Sequence, residues 1–123
     1  MKYMLLIHGN PAVWDGWSAE EYDAIIRAHA ELQKELTKSG EYVGSEGLTT
    51  LGAKTVRVRD GVPAVTDGPF TEAKEYLAGY YMVECASVER ATEIAARIRE
   101  ARYCPVEVRP LMDKGRMSLG PDT

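Results

Sequence analysis

Two histidines, His8 and His29, are the side chains best suited to take up a proton near neutral pH, because the imidazole pKa lies there. His29 stands three residues from Ile26 and Leu32 and four from Ile25, so a helix places it on the apolar stripe. There it either fills a core or boundary position or lines a cleft. As filler alone, His29→Leu would keep or raise stability, since Leu is the better helix former and needs no hydrogen-bond partner. His8 ends an apolar run on the same strand face as Met4 and Leu6. Glu107 and Arg109 alternate onto one face near the end of the chain, and Glu84 shares a face with Tyr80 and Met82. With His8 these residues make either a polar pocket or a salt-bridged contact between two chains. In a pocket, Arg109 can grip a carboxylate or phosphate with both arms of its guanidinium. A third group crowds acids and a base around one turn: Asp67, Glu72, Lys74 and Glu75 surround Gly68-Pro69-Phe70. It reads either as the edge of a binding site or as a solvated charged face, with Phe70 plugging the core.

Several standard chemistries are absent from the sequence. No GxGxxG follows a strand, and no phosphate-binding GxxxxGK[ST] loop or HExxH helix occurs. Ser45 lies in GSEG, not in the GxSxG of a nucleophile elbow. The histidines lack cysteine or carboxylate partners at metal spacing, so neither a metal nor another cofactor is expected. The formal net charge of −4 and the lack of a basic run or basic–aromatic interleaving argue against a nucleic-acid partner. No apolar stretch approaches the roughly 20 residues of a membrane span, and the N-terminal apolar run is too short for a signal peptide. Cys85 and Cys104 form no disulfide framework and fit a reduced, cytoplasmic setting.

The elements that must position these residues follow from periodicity. At 123 residues, 45% of them hydrophobic and 28% charged, the chain has the composition of one globular domain with little core to spare. Residues 2–8 form a short apolar strand ended by Gly9, Asn10 and Pro11. Ser18 caps a helix over 18–38 with Glu21 at the capping-box position, and Gly40 stops it. Its stripe is Tyr22, Ile25, Ile26, Leu32 and Leu36. Trp14 and Trp17, in the loop before it, either lid a cleft or cover the sheet edge. A second strand spans Glu41 to Thr50. Thr55–Arg59 and Pro63–Thr66 flank Asp60-Gly61, a strong hairpin signal. Tyr76 to Cys85, aromatic and β-branched, is the strongest strand. Ser87 caps a second helix, with Val88, Ala91, Ile94, Ala95 and Ile98 facing inward. Pro105–Leu111 is the last strand, and Arg99 to Cys104 carries no motif. Residues 1–112 make the domain, and 113–123 a flexible tail without periodicity. The order is that of an α+β, ferredoxin-like split βαβ fold: an antiparallel sheet with two helices on one face and an inserted β-hairpin. Its strand order is last, first, Tyr76–Cys85, second. The bare sheet face, carrying Met4, Leu6 and Met82, calls for a second copy, a homodimer related by a two-fold axis.

The run Asp67-Gly68-Pro69-Phe70-Thr71-Glu72-Ala73-Lys74-Glu75 resembles the signature of the DGPF group of YCII-related proteins. GEYVGSEGL at Gly40–Leu48, Gly79-Tyr80-Tyr81, and Val106 to Pro110 resemble that family in the same order, over about residues 1 to 112. The resemblance implies a ferredoxin-like chain that pairs into a dimeric α/β barrel. It assigns no reaction. Some YCII-like members are suspected enzymes with a histidine–aspartate pair in a cleft, and the family's histidine falls at His29. Asp67 is then the nearest aspartate by motif. Relatives often occur beside extracytoplasmic-type sigma factors. Three functions stay open: an acid–base enzyme on a small molecule, using His29 or His8 with Asp67 and Arg109; a ligand-binding or regulatory dimer tied to such a sigma factor; and a structural dimer without a pocket.

Overall fold

A computed structural model describes residues 1–70 and 75–112. Strand β1 (Lys2–Gly9) alternates as its sequence dictates: Tyr3, Leu5 and Ile7 are buried on one face, and Met4, Leu6 and His8 half-buried on the other. Asn10 and Pro11 then open a single helical turn, α1 (Pro11–Trp14), where the Asn10 side chain accepts the Ala12 N–H at 3.0 Å. Helix α2 (Ala19–Ser39) begins at Ser18, whose hydroxyl accepts the Glu21 N–H at 3.1 Å, and ends on Gly40 in the left-handed region. Its buried residues are Ile25, Leu32 and Leu36. Ile26, expected on the stripe, is 65% exposed. Ile26 lies about 100° around the helix from Ile25, off the line of Ile25, Leu32 and Leu36 that the sheet buries. Tyr22 also leaves the core: its hydroxyl donates to the Trp14 carbonyl at 2.8 Å.

Strands β2 (Tyr42–Gly47), β5 (Tyr76–Glu84), β1 and β6 (Val106–Pro110) form one antiparallel sheet in the order β2-β5-β1-β6. That is the expected order. Leu5 stands opposite Tyr81 on one side and Val108 on the other, and the β1–β5 register shifts between Ile7 and His8. Helix α3 (Val88–Ala96), capped by Ser87, packs on the same sheet face as α2. Leu5, Leu32, Leu36, Tyr81, Val83, Ile94 and Ile98 are the heart of that layer. Val88, expected to face inward, is exposed. The α+β, antiparallel, ferredoxin-like architecture thus stands, with both helices on one face.

Two forked arginine–carboxylate pairs tie the helices down. Arg90 of α3 meets both oxygens of Glu41 at 2.9 Å, and these bonds, with that of Ser39, hold the Glu41 carboxyl down to about 2. Arg99 meets Glu21 of α2 at 2.6 and 3.0 Å. Arg99 opens a short 3₁₀ turn, Arg99–Arg102, so the second pair pins that turn to the start of α2. Cys85 and Cys104 are both buried free thiols, and burial pushes the Cys85 thiol up.

The inserted hairpin is present as strands β3 (Lys54–Arg59) and β4 (Val62–Asp67), joined by Asp60 and Gly61 at φ of 50° and 77°. Two successive positive φ values define the mirror-image turn that matches strand twist. The hairpin is a sheet of its own, separate from the four-stranded ladder. Val56 faces Val65 and Val58 faces Pro63, so one side is apolar, yet all of these side chains are exposed. Phe70 is no core plug: it is exposed, with the Arg57 guanidinium 5.2 Å over its ring. Phe70 follows the hairpin, whose sheet is separate from the ladder that carries the core.

Candidate functional site

Ile25, His29, Leu32 and Leu36 recur at steps of four, three and four, so His29 occupies the seam between α2 and the sheet. Opposite it, Tyr81 shares strand parity with Val83 and points to the same layer. The two rings stack with centroids 5.6 Å apart, and His29 Nδ1 lies 2.6 Å from the Tyr81 hydroxyl. The other ring nitrogen, Nε2, lies 2.7 Å from Glu100 Oε2. Glu100 comes from the 3₁₀ turn that the Arg99–Glu21 pair pins in place, and it is only 6% exposed. Gln33, one helical turn beyond His29, donates its side-chain N–H to the Tyr81 hydroxyl at 3.3 Å.

These groups line a cleft of about 590 Å³. Its other walls are Ile7 and Trp14, the β2 end from Ser45 to Thr49, and Ala78 to Tyr81 on β5. Trp14 is held by stacking on Trp17 at 5.1 Å, and Trp17 is gripped in turn by Tyr22 and Tyr103. Trp14 therefore walls the cleft, and Trp17 backs it.

The arrangement fixes proton positions. A carboxylate only accepts, so Nε2 carries the ring hydrogen toward Glu100, and Nδ1 is left to accept from the Tyr81 O–H. Burial first, then the charge of Glu100, pushes the Tyr81 phenol up to about 12, against the lowering effect of Gln33. Tyr81 therefore keeps its proton at neutral pH. When a proton arrives at Nδ1, Glu100 faces the resulting imidazolium directly. Tyr81, His29 and Glu100 thus form a chain along which one proton can move without an unpaired charge appearing in the core.

The expected site residues do not gather in one place. His29 alone is in the cleft. Asp67 ends β4, 87% exposed on its side chain and paired with Lys54, in the separate hairpin sheet. The carboxylate beside His29 is Glu100. His8 meets Glu107 at 3.2 Å on the face away from the helices, and Arg109 lies on that face opposite Met4. Glu84 sits 3.6 Å from the N-terminal amine. Glu75 is exposed just before β5, and Glu72 and Lys74 lie outside the described residues. Among the described residues no cluster of His, Cys, Asp or Glu is arranged to hold a metal, and no helix is long and apolar enough to cross a membrane.

Glu100, Tyr81 and Gln33 escape a sequence reading, whereas Trp14, expected either to lid a cleft or to cover the sheet edge, lines the cleft. Tyr81 left a signal: a tyrosine on the buried parity of a strand needs a hydrogen-bond partner. Gln33 left a weaker one, four residues from His29. Glu100 left none, because it lies in a turn without periodicity.

The sequence profile of the YCII-related domain matches residues 1–114. An uncharacterized protein of Rhizobium meliloti (strain 1021) is 34% identical over 114 residues, which cover 90% of this chain and 92% of the relative. With nearly its whole length matched, the chain belongs to the YCII-related domain family.

Proposed function

We propose that the chain is an acid–base enzyme that moves a proton on a small molecule held in the cleft. The observation that carries this reading is the engagement of both His29 nitrogens, one by a phenol and one by a buried carboxylate, at the wall of a cleft. In the step it supports, Tyr81 Oη takes a proton from substrate while its own proton passes to His29 Nδ1. Glu100 stabilises the imidazolium, and the reverse transfer returns the proton to substrate or product. Glu100 then has the orienting role that the family resemblance gives to an aspartate. The test is deuterium wash-in: carbonyl compounds with acidic C–H bonds are incubated with the protein in D₂O and followed by NMR. At least one should exchange faster with the protein present, and Tyr81→Phe should slow that exchange by about 100-fold or more. No acceleration for any compound, or full acceleration by Tyr81→Phe, would sink the reading. A compound that binds without exchanging would favour the non-catalytic regulatory dimer, including one tied to a sigma factor.

We also propose that two copies pair through the open sheet face into a dimeric α/β barrel. Met4, Leu6, Tyr80 and Met82 support it, as half-buried apolar side chains on the face that no helix covers. Light scattering at micromolar concentration should give twice the chain mass of 13.6 kDa, and Met82→Asp should dissociate or unfold the pair. A single 13.6 kDa species from the unaltered protein would rule the pairing out.

A further inference from the structure

Glu100 uses one oxygen. Oε2 meets His29, and Oε1 is buried without a hydrogen-bond partner among the described residues. A buried carboxylate oxygen left unpaired is costly, and native structures rarely keep one. Glu100 lines the cleft, so a hydrogen-bond donor placed there by a ligand would complete it. Trp14 presents the mirror case on the same cleft: its indole Nε1–H is buried and has no acceptor among the described residues. Two residues of the cleft wall thus carry one unused acceptor and one unused donor, both buried.

Its charge narrows the choice. Among the described residues that line it there is no lysine or arginine, while Glu46 and Glu100 both bring carboxylates. An anion entering would meet repulsion with no fixed cation to offset it. A simple ammonium would satisfy Glu100 but leave the Trp14 N–H without an acceptor. Ile7, Trp14, Leu48 and Ala78 supply apolar wall against which a flat ring can lie.

We infer that the cleft takes a neutral, flat small molecule carrying an N–H or O–H donor beside a carbonyl, as in a cyclic amide, and discriminates against carboxylates, phosphates and simple amines. The inference rests on the acid–base reading for the location of the site, but not for its chemistry.

The test uses four ring compounds: 2-pyridone, which has adjacent N–H and C=O groups; N-methyl-2-pyridone, which lacks the donor; benzoate; and benzylamine. The readout is the Trp14 indole N–H signal in the ¹H–¹⁵N spectrum of the full chain, assigned by its loss in Trp14→Phe. 2-Pyridone should shift that signal saturably. N-Methyl-2-pyridone should bind at least about 10-fold more weakly, the loss expected for one buried hydrogen bond. Benzoate and benzylamine should produce no saturable shift. Equal binding of the N-methyl compound, saturable binding of benzoate or benzylamine, or no response to 2-pyridone would each overturn the assignment. Saturable binding of benzoate at Trp14 would leave the cleft as the site and reject only the ligand class. Specific 2-pyridone binding without any deuterium exchange would uphold the class and count against the enzyme.

Discussion

His29→Leu should lower folding stability at pH 7 by about 3 kcal/mol, although leucine is the better helix former. Among the described residues, the substitution strips Glu100 of its one side-chain partner and leaves its buried carboxylate with both oxygens unpaired. It also leaves the Tyr81 phenol without an acceptor in the core. Those desolvation costs exceed the few tenths of a kcal/mol that helix propensity returns. Replacing both partners removes the stranded charge, so His29→Leu/Glu100→Leu should recover about 2 kcal/mol of the loss. Urea unfolding of the wild type, both single variants and the double variant measures the cycle. A single-variant loss below about 1 kcal/mol, or a double variant as unstable as the two losses added, would show that the pair is not coupled. The sign separates two roles for this residue. A space-filling histidine would be improved by leucine, and one that holds a buried carboxylate is not.

Gly79→Val is expected to be as damaging, by about 3 kcal/mol or more, despite the strand preference of valine. A Cβ built on Gly79 would lie 2.9 Å from the Glu46 carbonyl oxygen and 3.4 Å from Gly47 Cα. Both obstacles are backbone, so relief requires β2 to move away from β5. Gly47 stands directly opposite in the register, has no atom within 4 Å of its own Cβ position and does not adopt a positive φ. Gly47→Ala should therefore change stability by no more than about 0.5 kcal/mol. Thermal unfolding of the two variants side by side decides the matter, and equal shifts would mean that β2 yields freely. The strand interface in question also forms one wall of the cleft, so Gly79→Val should weaken ligand binding even where the protein remains folded.

Much of this architecture was legible because its causes are local. Ser18, Gly40, the Asp60-Gly61 pair and Ser87 each act on the few residues around them, and each acts as its side-chain chemistry requires. The alternation of β1 places Leu5 and Ile7 inward without reference to anything distant. The site is different in kind. His29 and Glu100 are 71 positions apart, and what joins them is the Arg99–Glu21 fork, formed between two segments with no shared pattern. An acid within a non-periodic turn looks like surface until its environment is known. The Asp67 motif misleads for the opposite reason: its run of charges is conspicuous, but the hairpin carries Asp67 to solvent and to Lys54. Ile26 shows the same limit on a smaller scale, since adjacency to Ile25 in sequence says nothing about which of the two the sheet accepts.

Strands β2 and β5 are hydrogen-bonded neighbours, with Gly47 facing Gly79 near the point where the chain leaves one and enters the other. Among the described residues, the four-stranded ladder is therefore complete without the hairpin strands Lys54–Arg59 and Val62–Asp67, which come in sequence between two strands already held together. The β3–β4 hairpin hangs from that junction like a cartridge in a socket. Lengthening the hairpin adds only a slowly growing loop-closure cost and leaves the β2–β5 pairing in place. The Asp60-Gly61 turn at the hairpin's tip is where the fold can accept foreign sequence while the sheet that builds the cleft stays the same.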